Sequence, residues 1–160
     1  MPDAIGAKKA IEEKMDIAQK KVLVAGAGGV ARAIITAIQE IGAKEIVLTN
    51  RDEKKGESLA RAFKIDQVPF EAMPVCDLFV NATSVGMAPN EEEMIVSEDY
   101  LRQCEAVMDV VNQPAETKLL KTAEALGKSA IKGYQMTLYQ AAAQFELYTG
   151  KKAPMDAMGV

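Results

Sequence analysis

Val22-Leu23-Val24-Ala25-Gly26-Ala27-Gly28-Gly29-Val30-Ala31 is the stretch that decides how this chain folds. Its first four residues are apolar without a break, which reads as a short strand buried on both faces. Gly26, Gly28 and Ala31 then stand at the spacing GxGxxG/A. Past them the period becomes helical: Ala31, Ile34, Ile35 and Ile38 fall on one side, and Gly42 stops the run. Alone the motif is weak, but a strand before it and a helix after it give it meaning. Gly26 permits the tight turn, Gly28 lets a pyrophosphate approach the backbone, and Ala31 lets the helix pack closely on the sheet. The helix start also offers unpaired N–H groups and partial positive charge to phosphate. Gly26, Ala27, Gly28, Gly29 and Val30 are therefore candidate cofactor-binding residues. The plain alternative is a glycine-rich turn with no ligand.

Outward from this turn, short apolar runs alternate with helical ones. Strands are predicted at 45–49, 67–70, 78–80, 106–111 and 129–132. A leading helix is predicted over 3–16, with Ile5, Ile11 and Met15 near one side. Asp52 is placed to cap the helix that carries Leu59, Ala60 and Phe63. Further helices are expected at 118–126 and 136–149, with an acidic loop at 88–97 and a short helix near Tyr100. This alternation predicts one α/β domain over residues 1–160: a Rossmann-type, doubly wound parallel sheet of about six strands with helices on both faces.

Composition narrows the function. The chain of 160 residues is 49% hydrophobic and 26% charged, an ordinary globular balance. A net charge of −4 argues against a nucleic-acid-binding face. No apolar run reaches membrane-span length, and the first residues carry no signal-peptide core, so a cytoplasmic protein is expected. The sequence has no histidine, which excludes Ser-His-Asp and Cys-His catalysis and makes a zinc site improbable. No metal ligands are assigned. Cys76 and Cys104 lie far apart in sequence and are expected as reduced, partly buried thiols.

Cofactor identity turns on the end of the second strand. An NAD(H) site usually places an acidic residue there for the ribose hydroxyls. Here the segment is Thr49-Asn50-Arg51-Asp52. Arg51 can stack on adenine or pair with a 2′-phosphate, and Lys55 adds charge one turn later. Asp52 opposes a phosphate unless it only caps the helix. The balance favours NADP(H) over NAD(H).

From Lys21 onward the chain resembles shikimate dehydrogenases. The likeness rests on VLVAGAGGVARA at 22–33, the Asn50-Arg51 pair and Asn81-Ala82-Thr83-Ser84-Val85-Gly86-Met87. It continues through Val107-Met108-Asp109-Val110-Val111 with Pro114 and Thr117, then Gly133, Met136, Gln140 and the ending FELYTG at 145–150. The resemblance implies that Thr83, Ser84 and Val85 line the cofactor cleft, that Val110 sits beside the nicotinamide, and that Gly133 and Met136 enclose it. It implies that Gln140 and Asn112 face the substrate, although Asn112 stands where the family commonly has tyrosine. Tyr134, Tyr139 and Phe145 are left as packing residues. Pro2-Asp3-Ala4-Ile5-Gly6 resembles the tail of an N-T-D-x-x-G motif, which would make Asp3 the catalytic aspartate. Its rival reading is a helix N-cap.

The resemblance also implies a substrate-binding domain ahead of this segment, carrying a catalytic lysine that Lys8 and Lys9 do not match. The complete enzyme would reduce 3-dehydroshikimate to shikimate with NADPH, and this chain alone is expected to bind cofactor with little or no turnover. The helices at 3–16 and 136–149 are expected to contact that domain, and Ile5, Ile11 and the last helix form a candidate patch for self-association. Rival readings are a quinate-type enzyme using NAD, a stand-alone nucleotide-binding module, and a glutamyl-tRNA reductase-like domain. NATSVGM and FELYTG argue against the last.

Overall fold

Val22 to Ala25 are enclosed on both faces. In the computed structural model, which describes residues 2–155, they form the central strand β1 (Lys21–Ala25). It is preceded by α1 (Pro2–Lys14) and followed by α2 (Gly29–Ile41), β2 (Glu45–Thr49), α3 (Glu53–Phe63) and β3 (Asp66–Gln67). Then come β4 (Leu78–Asn81), α4 (Glu98–Arg102), β5 (Ala106–Asp109), α5 (Lys118–Ala125), β6 (Ser129–Lys132) and α6 (Gly133–Thr149). All strands are parallel, in the order β3-β2-β1-β4-β5-β6. The chain winds one way from β1 and then returns past it to β4. That reversal opens a crevice beyond the carboxyl ends of β1 and β4, where ligands bind in such sheets.

Successive residues of a strand point to opposite faces, so each central strand serves two cores. Val22, Val24, Leu78, Val80 and Met108 pack with residues of α1, α2, α3 and α6. Leu23, Ala25, Phe79 and Val107 pack with Leu101 of α4 and with Leu119, Leu120 and Ala123 of α5. Helix ends are defined by local chemistry. Asp52 Oδ1 accepts from the Lys55 N–H (3.1 Å), and Thr117 Oγ1 from the Leu120 N–H (3.2 Å). Gly42 and Gly150 end α2 and α6 in the left-handed conformation.

Several boundaries differ from expectation. The leading helix ends at Lys14, because Asp16 Oδ1 accepts from the Ala18 N–H and turns the chain. It begins at Pro2, so Asp3 lies inside the first turn and does not occupy the cap; its carboxylate still favours the positive helix end. Met1 lies outside the described residues. The closing helix starts at Gly133, three residues before Met136, with the Gln135 side chain accepting from the Lys132 N–H. β3 stops at Gln67, and Phe70 belongs to a short 3₁₀ turn (Phe70–Ala72) after Pro69, which has no N–H for a ladder. β5 stops at Asp109, whose side chain takes the Val111 N–H. Ile11 is fully buried against the main core, so it cannot contribute to an exposed patch.

The two cysteines meet in space. Cys76 and Cys104 Sγ are 4.0 Å apart, and both residues are buried beside Tyr100. Contact with Cys76, together with burial, pushes the Cys104 thiol above its ordinary range.

Candidate functional site

At Gly26 the backbone has φ +125°, and a Cβ there would stand 2.6 Å from the Ala82 carbonyl oxygen. Only glycine fits this turn, where β1 and the segment after β4 come together. Gly28 presents the opposite case. Its φ is −92° with extended ψ, open to any residue, and a Cβ would meet nothing of the protein within 4 Å. Gly28 caps α2 without any side-chain hydrogen bond. The exposed start of α2 therefore presents unpaired N–H groups beside an open approach.

A cavity of about 210 Å³ continues from this turn along the strand ends. It is lined by six of the expected residues, Gly26, Asn50, Arg51, Thr83, Ser84 and Val85, and by Phe70 and Ile95, which sequence reasoning did not assign. Arg51 lies over the Phe70 ring, its guanidinium carbon 5.7 Å from the centroid, within cation–π range. The Asn50 amide donates to the Asp52 carbonyl (2.9 Å), tying the end of β2 to the start of α3. Lys55 is exposed on the first turn of α3 and does not line the cavity. A larger hollow of about 440 Å³ lies between Gln39 and Asp66, near the start of β2. It is remote from the strand carboxyl ends and rimmed by Lys44, Glu45 and Lys64.

The other expected residues lie beyond the end of β5 and at the crossing of α1 and α6. The Val110 N–H donates to the Asn81 carbonyl (3.1 Å) as the chain leaves β5. A Cβ on Gly133 would stand 2.6 Å from the Val110 carbonyl oxygen and 2.8 Å from Asn112 Oδ1. The Asn112 amide donates to Thr137 Oγ1 of α6 (3.1 Å), so Asn112 is exposed but anchored. Met136 is buried and Gln140 half-buried where α6 crosses α1. At the crossing a Cβ on Gly6 would lie 2.5 Å from the Met136 carbonyl and 2.9 Å from the Gln140 N. Asp3 sits one turn before Gly6, on the same side of α1. Of the three aromatic residues read as packing, Tyr139 bridges these helices through its hydroxyl to Glu13 Oε2 (2.7 Å). Tyr134 and Phe145 are exposed.

Strand order, switch-point crevice and glycine turn together define an α/β domain of the Rossmann type. Family models agree: shikimate / quinate 5-dehydrogenase matches residues 7–119, and the shikimate 5′-dehydrogenase C-terminal domain matches 133–158. The chain belongs to the shikimate/quinate dehydrogenase family. It is similar to the shikimate dehydrogenase (NADP(+)) of Methanobrevibacter smithii, at 38% identity over 98% of this chain and 60% of that protein. The Pyrococcus abyssi enzyme of the same name is 39% identical over 98% and 59%. Among solved structures, shikimate 5-dehydrogenase from Thermus thermophilus, in complex with NADP(H) and shikimate, has a TM-score of 0.86 at 31% identity, covering 98% of this chain and 59% of that one. Quinate dehydrogenase from Corynebacterium glutamicum, in complex with NAD, gives 0.89 at 30% identity with the same coverages. The chain thus spans about three-fifths of the length of the relatives it matches. No described helix is long and apolar enough to cross a membrane.

Proposed function

We propose that this chain is the NADP(H)-binding domain of a shikimate dehydrogenase, which in its complete form reduces 3-dehydroshikimate to shikimate. The observation that carries the reading is Gly28. Neither its backbone angles nor its surroundings require glycine, yet a side chain there would occupy the approach to the α2 N-terminus. A ligand phosphate supplies the missing reason for it.

Gly26 to Val30 would hold the pyrophosphate. Arg51 and Lys55 would face the 2′-phosphate, with Asn50 keeping the loop in shape. Thr83, Ser84 and Val85 would line the cleft, and Val110, Gly133 and Met136 would enclose the nicotinamide end. When bound, the cofactor supplies the hydride. Gln140 and Asn112 would orient the substrate. Asp3 would act with a lysine of a preceding substrate-binding domain to handle the proton of the reacting oxygen. That domain would cover the α1–α6 face, where Ile5 is 42% exposed, and the end of α6, where Leu147 is 74% and Tyr148 85% exposed. One feature favours a second reading: Asp52 beside Arg51 would disfavour a 2′-phosphate, as a quinate-type domain using NAD would require.

Calorimetric titration of the 160-residue chain with NADPH and NADH tests the proposal. NADPH is expected to bind the more tightly, and Arg51→Ala to abolish the preference. A preference for NADH selects the second reading, and binding of neither nucleotide removes both. Shikimate oxidation by the chain alone is expected to be negligible; robust turnover would refute the need for the second domain.

A further inference from the structure

Asn81 and Asp109 are the last residues of neighbouring strands, paired in register and both 0% exposed. Asn81 uses every hydrogen-bonding position of its side chain. Its amide donates to Asp109 Oδ1 (3.1 Å) and to the Val85 carbonyl (3.1 Å). Its oxygen accepts from the Thr83 N–H (3.1 Å) and the Thr83 hydroxyl (2.5 Å). Thr83 Oγ1 in turn accepts from the Val85 N–H (3.1 Å). Asp109 Oδ1 takes a second bond, from the Val111 N–H (3.0 Å), while Oδ2 has no partner among the described residues.

Such a carboxyl is a poor device for stability. An apolar side chain in the same closed space would strand no oxygen, but it would leave the Asn81 amide and the Val111 N–H without their acceptor. Burial raises its pKa to about 6, against the Val111 N–H, the Thr117 hydroxyl and the Asn81 amide, and no charged side chain contributes. Thr117 is near enough to act on the carboxyl but does not meet hydrogen-bond geometry to Oδ2. What the arrangement does is local. Apart from the Asn81–Asp109 bond itself, the side-chain bonds of Asp109 and Asn81 end on the cleft-lining segment Thr83–Val85 or on the exit of β5 at Val111.

We propose that Asp109, acting through Asn81, is a positioning residue for cofactor binding: it clamps the Thr83–Val85 segment to the exit of β5 and so sets the nicotinamide side of the cleft. This rests on the NADP(H) reading above. Free of Asp109, the Asn81 amide can rotate; the Thr83 N–H then loses its fixed partner, and the Thr83 hydroxyl that accepts from the Val85 N–H loses its anchor. Removing one member of a buried polar network leaves its neighbours without the partners that fixed them.

The test uses the 160-residue chain as wild type, Asp109→Asn and Asp109→Leu. Amide hydrogen exchange is followed residue by residue without ligand, and NADPH affinity by calorimetry. Asp109→Asn keeps an acceptor for Asn81, so slow exchange and a Kd within about threefold of wild type are expected. For Asp109→Leu, Thr83 and Val85 are expected to exchange at least about tenfold faster and NADPH to bind at least about tenfold more weakly, with protection in β1 and β2 unchanged. Wild-type affinity in Asp109→Leu would overturn the proposal, as would loss of protection across the whole sheet. Should that variant not fold, Asn81→Ser, too short to span both partners, is expected to give the same loop-confined changes, and unchanged affinity there would overturn the clamp. If wild type binds neither nucleotide the functional reading fails, whereas fast exchange of Thr83 and Val85 in wild type defeats the clamp itself.

Discussion

The two halves of the sheet prepare one crevice by different means. On the β1–β2–β3 side most of the work falls to backbone, a glycine turn and a bare helix start, with one arginine over a ring beside them. On the β4–β5–β6 side it falls to side chains, through the Asp109–Asn81–Thr83 network and the close crossing of α1 and α6. Backbone geometry follows from local sequence and tolerates most neighbours. A buried network depends on partners from separate strands and fails when one is removed. Substitutions on the first side should therefore change binding with little change in stability, whereas on the second side the loss of a network member or of the close crossing should reach the cleft through its neighbours.

The largest expected effect breaks the second half by pH. A carboxyl whose pKa rises on folding, here from the ordinary 3.8 to about 6, holds its proton more tightly in the folded chain. The stability it contributes is fully present below about pH 4 and is lost as the pH climbs through 6. Urea unfolding of wild type against Asp109→Asn should show the variant gaining on the order of 3 kcal/mol relative to wild type between pH 4 and 7. A constant difference would mean that Asp109 does not titrate in this window. Next comes Gly6→Ala, whose methyl would collide with the backbone of α6. A stability loss of roughly 2 kcal/mol is expected, accompanied by weaker NADPH binding as Met136 shifts.

The first half should behave otherwise. In Gly28→Ser the hydroxyl can cap α2, so stability should hold within about 0.5 kcal/mol. NADPH affinity should fall at least about tenfold because the side chain stands where a phosphate would approach. Equal losses in both would erase the contrast between the halves. The smallest effect is expected from Asp52→Ser, which keeps a cap for the Lys55 N–H while removing the charge beside Arg51. The ratio of NADPH to NADH affinity should rise about threefold at low salt. No change would confine Asp52 to capping.

Legibility in the sequence follows the same division. The β1 run, its glycine turn, the Ile34, Ile35 and Ile38 stripe and the Asp52 cap depend on residues a few positions apart, and all were readable. Asp109 and Asn81 stand in the sequence only as parts of motifs, because their partnership crosses 28 residues and exists only once the strands align. A signal was present: each is the single polar residue closing an otherwise apolar strand, where burial demands a partner. The apolar Phe70 extends the apparent strand run, but Pro69 before it breaks the ladder. The approach of Cys76 to Cys104 depends on packing alone and left no mark in spacing. The α1–α6 crossing was anticipated as a pair of flanking helices, but the need for glycine at position 6 emerges only from the distance to Met136.

That crossing also bears on the order in which the chain can acquire its structure. Glu13 and Tyr139, bonded across it, are 126 positions apart, and Gly6 packs on Met136 and Gln140. During synthesis α1 leaves the ribosome well before α6, and waits for the residues between them before α6 arrives to cover it. The sheet and α2 can assemble meanwhile, but this face of α1 stays open to water, or to whatever in the cell holds small apolar surfaces, until the last helix closes.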